Sequence, residues 1–310
     1  MAVTRAAVVQ ATPVPFDCES TLGRMEALTR EAAGMGAQLA VFPEAFVGGY
    51  PKGTTFGAVV GERSPEGREE FRRYFDAAVD VPGPAVDRLA GLARETGIFI
   101  VVGVIEREGG TLYCTALFLD PTAGYLGKHR KIMPTAAERL VWGFGDGSTM
   151  PVFDTELGRI GAVICWENYM PAMRLAMYSK GIQLYCAPTA DGRDTHAATM
   201  QHIALEGRCF VLACNQFTRR SDFPEDYDCS FGNNPDTVLS RGGSCIVSPL
   251  GSFLAGPNYE GEAILTADLD IDDIKRGKYD FDVVGHYARP DIFHLDVNES
   301  PQAGVRWIQG

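Results

Sequence analysis

Cys165 stands directly after the apolar run RIGAVI and before WENYMP. A thiol ending a buried strand lies where α/β sheets present their ligands, and a turn there aims backbone N–H groups at a developing anion. The same dipoles favour the thiolate, the form that attacks carbon. Glu44, in VFPEAF, has a matching placement just past a strand, among apolar neighbours that raise a carboxylate's proton affinity towards general-base duty. Lys131, in GKHRKIMPT, offers a cation to charge that builds up during reaction. Taken singly, each has a plainer reading: a packing thiol, a solvated loop carboxylate, a solvated basic face. Taken together they are a nucleophile, a base and a charge stabiliser. The cysteines at 18, 114, 165, 186, 209, 214, 229 and 245 form no CxxC pair, and no Cys/His cluster has ligand spacing, so no metal is expected. His129, His196 and His202 offer a Cys/His alternative; His202, beside Ile203 and Leu205, reads as structural. Glu167 reads as a support for the site or as a surface ion-pair residue, and Trp142 and Phe144 as pocket lining or packing.

Such residues need a frame that brings strand ends together. Residues 6–10 (AAVVQ) read as a first strand. Ser20 or Thr21 is placed to cap a helix in which Leu22, Met25, Leu28, Ala32 and Met35 recur at three- and four-residue spacing. LAVF (39–42) is a buried strand ending at Pro43. Pro84 opens a helix with Val86, Leu89 and Ala93 on one face, and Gly97 closes it. IFIVVGVIE (98–106) and TLYCTALFL (111–119) flank a glycine turn and read as a hairpin. Then come the strand RIGAVIC (159–165), a helix near 171–180, the strand LYCA (184–187), a helix near 195–207 and the strand CFVLACN (209–215). Strands near 243–248 and 262–268 complete the set. The alternation predicts an α/β fold, and the hairpin makes its sheets mixed.

No repeat or linker divides the chain, which predicts a single domain over 1–310 with a tail from about 270. Residues 48–67 and 219–242 lack periodicity; segments of this length act as lids, binding loops or surface excursions. The first begins four residues after Glu44, which ties it to the site.

The apolar fraction of 45% and charged fraction of 22% are those of a globular protein with a sizeable core. A net charge of −12 argues against nucleic acid or an anionic membrane as partner. The N-terminus has no cleavable signal pattern, no run approaches the roughly 20 apolar residues of a membrane span, and the scattered thiols suit a reducing compartment. A cytoplasmic protein is expected.

The segments FPEAF, HRKIMPT and CWEN, in this order and at strand ends, resemble the nitrilase branch of the carbon–nitrogen hydrolase superfamily. PTAAERLVWGFGDGS (134–148), HIALEG (202–207), CFVLACNQ (209–216) and GHYARP (285–290) extend the resemblance over nearly the whole chain. It implies a four-layer α-β-β-α sandwich. It implies Cys165 as nucleophile, Glu44 as general base, Lys131 as cationic stabiliser and Glu138, in TAAER, as auxiliary glutamate. The backbone N–H of Trp166 would help hold the developing anion. The implied reaction is hydrolysis of a nitrile to a carboxylic acid and ammonia through a thioimidate and a thioester, with an amide as possible side product and no cofactor. GGYPKGTTFG (48–57) and KGIQLYCAPTADGRDT (180–195) look most like plant-type nitrilases, a group that includes enzymes for arylacetonitriles and β-cyanoalanine. Tyr50, Thr54 and Trp166 are then expected around the substrate. Members of the family form dimers and spiral oligomers, which implies homo-oligomers here, with the tail taking part. Two alternatives remain: an amidase or carbamoylase using the same triad, and a catalytically silent assembly or binding protein.

Overall fold

The protein is described by a computed structural model covering residues 3–305 and 308. Its first half runs β1 (Val3–Gln10), α1 (Cys18–Gly34), β2 (Leu39–Val41), α2 (Pro65–Asp76), α3 (Pro84–Thr96), β3 (Phe99–Glu108), β4 (Thr111–Asp120) and β5 (Gly124–Arg130). The second half runs β6 (Val152–Thr155), β7 (Gly158–Ala162), α4 (Pro171–Ser179), β8 (Leu184–Thr189), α5 (Asp194–Gly207) and β9 (Phe210–Asn215). It continues through β10 (Phe217–Arg219), β11 (Val238–Arg241), β12 (Ser244–Val247), β13 (Phe253–Asn258), β14 (Ala263–Asp270) and α6 (Asp272–Asp280).

Two six-stranded sheets result, ordered β14-β1-β2-β3-β4-β5 and β13-β12-β9-β8-β7-β6. Each holds three parallel strands at its centre, β1-β2-β3 in one and β7-β8-β9 in the other, flanked by antiparallel partners. Strand side chains alternate between faces, and both faces are used. Ala6, Val8, Val41 and Val101 of the first sheet meet Ile160, Leu184, Cys186 and Leu212 of the second in one buried cluster. The opposite faces are covered by helices: Ala7, Val9 and Val102 pack on Leu22, Met25, Leu89 and Ala93, and Tyr185, Val211 and Val247 on Met173, Met177, Met200 and Ile203. The layers are therefore α-β-β-α, as the resemblance implied. No helix among the described residues is long and apolar enough to cross a membrane.

Local readings differ in places. The first helix is capped by Asp17, whose side chain accepts from Ser20 N–H at 2.9 Å, and not by Ser20 or Thr21. The Thr21 hydroxyl is drawn off to the carbonyl of Val14 at 2.9 Å. Within 48–67 the irregular segment ends earlier than expected, because Ser64 caps α2 and Pro65 occupies its first turn. The 219–242 segment is no simple excursion: Arg220 donates to the carbonyls of Phe223, Pro224, Glu225 and Tyr227, while Tyr227 and Ser230 donate to the carbonyls of Lys52 and Gly53. The two irregular segments thus brace each other. After α6 the described residues form no further helix or strand, and Gln302 N–H reaches Asp146 at 2.8 Å.

Candidate active site

Glu44 leaves the carboxyl end of β2 and Cys165 the carboxyl end of β7, the central parallel strands of facing sheets; Lys131 directly follows β5. The end-to-end placement brings all three to one point between the sheets. Cys165 sits at φ 52°, Ala45 at φ 49° and Ala136 at φ 46°, a left-handed conformation that costs a side-chain-bearing residue about 1 kcal/mol or more. Strain thus gathers beside each of Glu44, Glu138 and the thiol. Gly103 permits the Glu44 turn: a Cβ there would lie 2.6 Å from Ala45 N and 2.7 Å from Glu44 Cα.

Lys131 is the hub. Its Nζ donates to Glu44 Oε1 at 2.6 Å and to Glu138 Oε2 at 2.7 Å, and lies 5.4 Å from the Trp142 ring centre. Burial works against its charge, but Glu44 and the other surrounding acids hold the ammonium well above the ordinary lysine range. Burial lifts Glu44, opposed by Lys131 and reinforced by Glu138. Glu44 Oε1 takes the lysine and the Cys114 thiol at 3.5 Å, while Oε2 is buried without a partner. That oxygen is free to receive a proton. Burial, together with the nearby Glu44 carboxylate, pushes the proton affinity of the Cys165 thiol up. Cys165 therefore rests as a thiol, and deprotonation must accompany attack.

Glu138 is fixed on three sides: Lys131, the Thr135 N–H at 2.6 Å and the Tyr50 hydroxyl, which donates to Oε1 at 2.6 Å. Glu167 is fully buried. Its Oε1 accepts from Ile132 N–H at 2.6 Å, and its Oε2 from Ile164 N–H at 2.8 Å and from His129 Nε2 at 2.9 Å. It ties the chain after Lys131 to the chain before Cys165. His129 is thus buried structure, His196 is buried too, and His202 is exposed, with its Nε2 3.7 Å from Glu206 one helical turn on.

A cavity of about 780 Å³ opens above Cys165. Tyr50, Lys52, Glu138, Trp166, Asp191, Arg193, Phe217, Arg219, Leu239, Arg241 and Tyr259 are among the residues that line it. Tyr50 and Trp166 therefore lie at the cavity. Thr54 does not: its hydroxyl donates to Glu70 Oε2 at 2.9 Å, facing away from the cavity, because the Gly53 turn carries it towards α2. Trp142 is buried beneath the site and Phe144 is exposed away from it. Residues that sequence reasoning gave no role include Cys114, Asp191, Arg193 and Gln216, whose side chain donates to the carbonyl of Glu44 at 2.7 Å. Their only signal was position next to segments already singled out.

The pattern of the carbon–nitrogen hydrolase family matches residues 5–279, and the chain belongs to that family. The chain is 62% identical over 98% of its length to a nitrilase of Bradyrhizobium diazoefficiens, covering 95% of that protein. It is 60% identical, over 95% of its length and 86% of the relative's, to a bifunctional nitrilase/nitrile hydratase of Nicotiana tabacum. Within the family it falls in the nitrilase branch. Among solved structures, an amidase from Nesterenkonia sp. shares the fold with a TM-score of 0.65 at 24% identity, covering 88% of this chain and 92% of that one.

Proposed function

We propose that this enzyme hydrolyses an organic nitrile to the carboxylic acid and ammonia through covalent attachment to Cys165. The observation that carries this reading is the buried triad. The oxygen of Glu44 not held by Lys131 is unpartnered, and Glu44 is the charged group that acts most strongly on the buried Cys165 thiol. Sulfur attacks the nitrile carbon as Glu44 takes the thiol proton, and that proton is passed to nitrogen, giving a thioimidate. Lys131 and the backbone N–H of Trp166, a donor in the first turn after the nucleophile, stabilise the charge that develops. Water activated by Glu44 adds to the thioimidate carbon. If the nitrogen is protonated, ammonia leaves and a thioester remains; a second water cleaves it to the acid and the free thiol. If sulfur leaves instead, recovering its proton, the product is the amide. Glu138, bonded to Lys131 and Tyr50, orients that relay.

For the substrate we infer an R–CH2–CN nitrile of the arylacetonitrile or β-cyanoalanine type. Cys165 is 5% exposed and recessed beneath Trp166 at 42%, so a methylene spacer lets the nitrile reach sulfur without pressing a ring on the catalytic groups. The cavity also holds charge for a polar substituent. Arg193 and Arg241 are tied to Asp191 and Asp194, but Lys52 and Arg219, over Tyr50 and Phe217 at 5.8 and 5.1 Å, have no ion-pair partner among the described residues. Ammonia release should be measured over phenylacetonitrile, β-cyanoalanine, benzonitrile and the matching amides. Higher kcat/KM for the R–CH2–CN substrates supports the reading. A clear preference for benzonitrile overturns the substrate class, and a preference for amides overturns the nitrilase activity. Homo-oligomers built through the tail remain part of the proposal, supported by exposed Tyr279, Ile292 and Phe293.

A further inference from the structure

Among the groups that the reaction scheme leaves unused, one buried carboxylate holds Trp166, the residue directly after Cys165. Asp191 is 7% exposed and follows β8, the strand beside β7. Its Oδ2 accepts from the Trp166 indole Nε1–H at 3.0 Å. Its backbone N–H donates to Thr189 Oγ1 at 3.0 Å, at the end of the strand next to the one that Cys165 follows. Arg193 closes the arrangement: its guanidinium donates to both Asp191 oxygens, at 2.8 and 2.5 Å, and lies 4.7 Å from the Trp166 ring centre. Trp166 is thus held by its edge and its face although its ring borders the cavity. Without these partners a large, 42% exposed indole keeps only its edge contact with the Tyr169 ring at 5.7 Å to fix its χ1, and the backbone of a strained turn would follow it.

We propose that Asp191, with Arg193, is a positioning residue that fixes the Trp166 N–H against the oxygen of the tetrahedral intermediate, and so sets the ratio of acid to amide. The inference rests on Cys165 being the nucleophile. Water addition to the thioimidate gives a carbon bearing oxygen, nitrogen and the cysteine sulfur. With the oxygen held at the Trp166 N–H, the nitrogen is left facing Lys131 and its carboxylates, where it gains the proton that lets it leave as ammonia. If the oxygen is loosely held, the nitrogen strays from that proton source. Sulfur is then the better leaving group; it departs, recovers its proton, and the amide is released.

The test is the product ratio of Asp191→Asn, Trp166→Phe and the double variant on one nitrile, with Cys165→Ala as reference. The ratio is fixed per turnover, so loss of folded enzyme does not move it. Asp191→Asn is expected to raise the amide share severalfold and to lower kcat about tenfold, as small misplacements of a reacting group do. Trp166→Phe keeps the backbone N–H and the ring but not the indole N–H, so it should reproduce the shift. Because both changes cut one link, the double variant should shift the ratio no further than the larger single. An unchanged ratio in Asp191→Asn, or strictly additive shifts, overturns the role of Asp191. Product formation by Cys165→Ala would instead overturn the nucleophile on which it rests.

Discussion

Replacing Glu167 by Gln tests whether the catalytic frame depends on one buried brace. Both carboxylate oxygens are committed: Oε1 to Ile132 N–H at 2.6 Å, Oε2 to Ile164 N–H at 2.8 Å and to His129 at 2.9 Å. Glutamine presents one oxygen and one NH2. Whichever way its amide turns, a donor meets a backbone N–H, and one charge-assisted hydrogen bond is lost while a buried N–H is left unpaired. The first effect costs about 1.5–3 kcal/mol and the second about 1–3, so about 2.5–6 kcal/mol together. That is a large part of the 5–15 kcal/mol typical of a folded domain, roughly, yet leaves the variant foldable. Urea unfolding at matched m-value measures it. The cost should also depend on pH. Burial disfavours the His129 imidazolium, but Glu167 outweighs it and raises the group above its ordinary 6.5. A raised folded value stabilises fully below the unfolded one and is lost as pH rises through the folded one. The gap between wild type and variant should therefore narrow as pH rises above the ordinary 6.5 and through the raised folded value. A cost below about 0.5 kcal/mol, or a gap that widens with pH, would refute the brace.

Three further outcomes are expected. Tyr50→Phe removes the 2.6 Å bond to Glu138 and should lower kcat roughly tenfold, read by steady-state kinetics, with the thermal midpoint little changed. Thr54→Val should leave KM within error, since the hydroxyl serves Glu70 and not the cavity; a raised KM would return Thr54 to the substrate. Gly103→Ala forces a methyl group against Ala45 N and Glu44 Cα, and should cost about 3 kcal/mol in thermal or urea unfolding together with most of the activity.

Much of this site was legible because its residues end strands whose apolar runs are unmistakable. Glu44 after LAVF and Cys165 after RIGAVI announce themselves by topology, and the sheet core around them follows from alternation alone. The facing of the two sheets was not readable from periodicity and came from the motifs' resemblance. Helix α2 escaped because PEGREEFRRYFD is almost entirely charged and aromatic, with only Gly67 and Tyr74 buried. The Asp17 cap was missed because Ser20 and Thr21 are equally good cap residues, and only the turn through Val14 decides between them. Thr54 was misassigned since sequence distance from Glu44 says nothing about the direction a glycine-rich turn takes. Asp191 had no signal beyond its place in a segment already singled out: in TADGRDT it is one polar loop residue among several, and its meaning depends on an indole 25 positions away.

The central claim is a covalent adduct on Cys165. Glu138→Gln should slow the steps after attack more than attack itself, so that quenched enzyme mixed with phenylacetonitrile accumulates the thioimidate. Intact-protein mass spectrometry followed by peptide mapping should then show addition of the whole nitrile mass, on the peptide carrying Cys165 and on no other. Continued product formation with no adduct, or an adduct at another cysteine, would contradict the account.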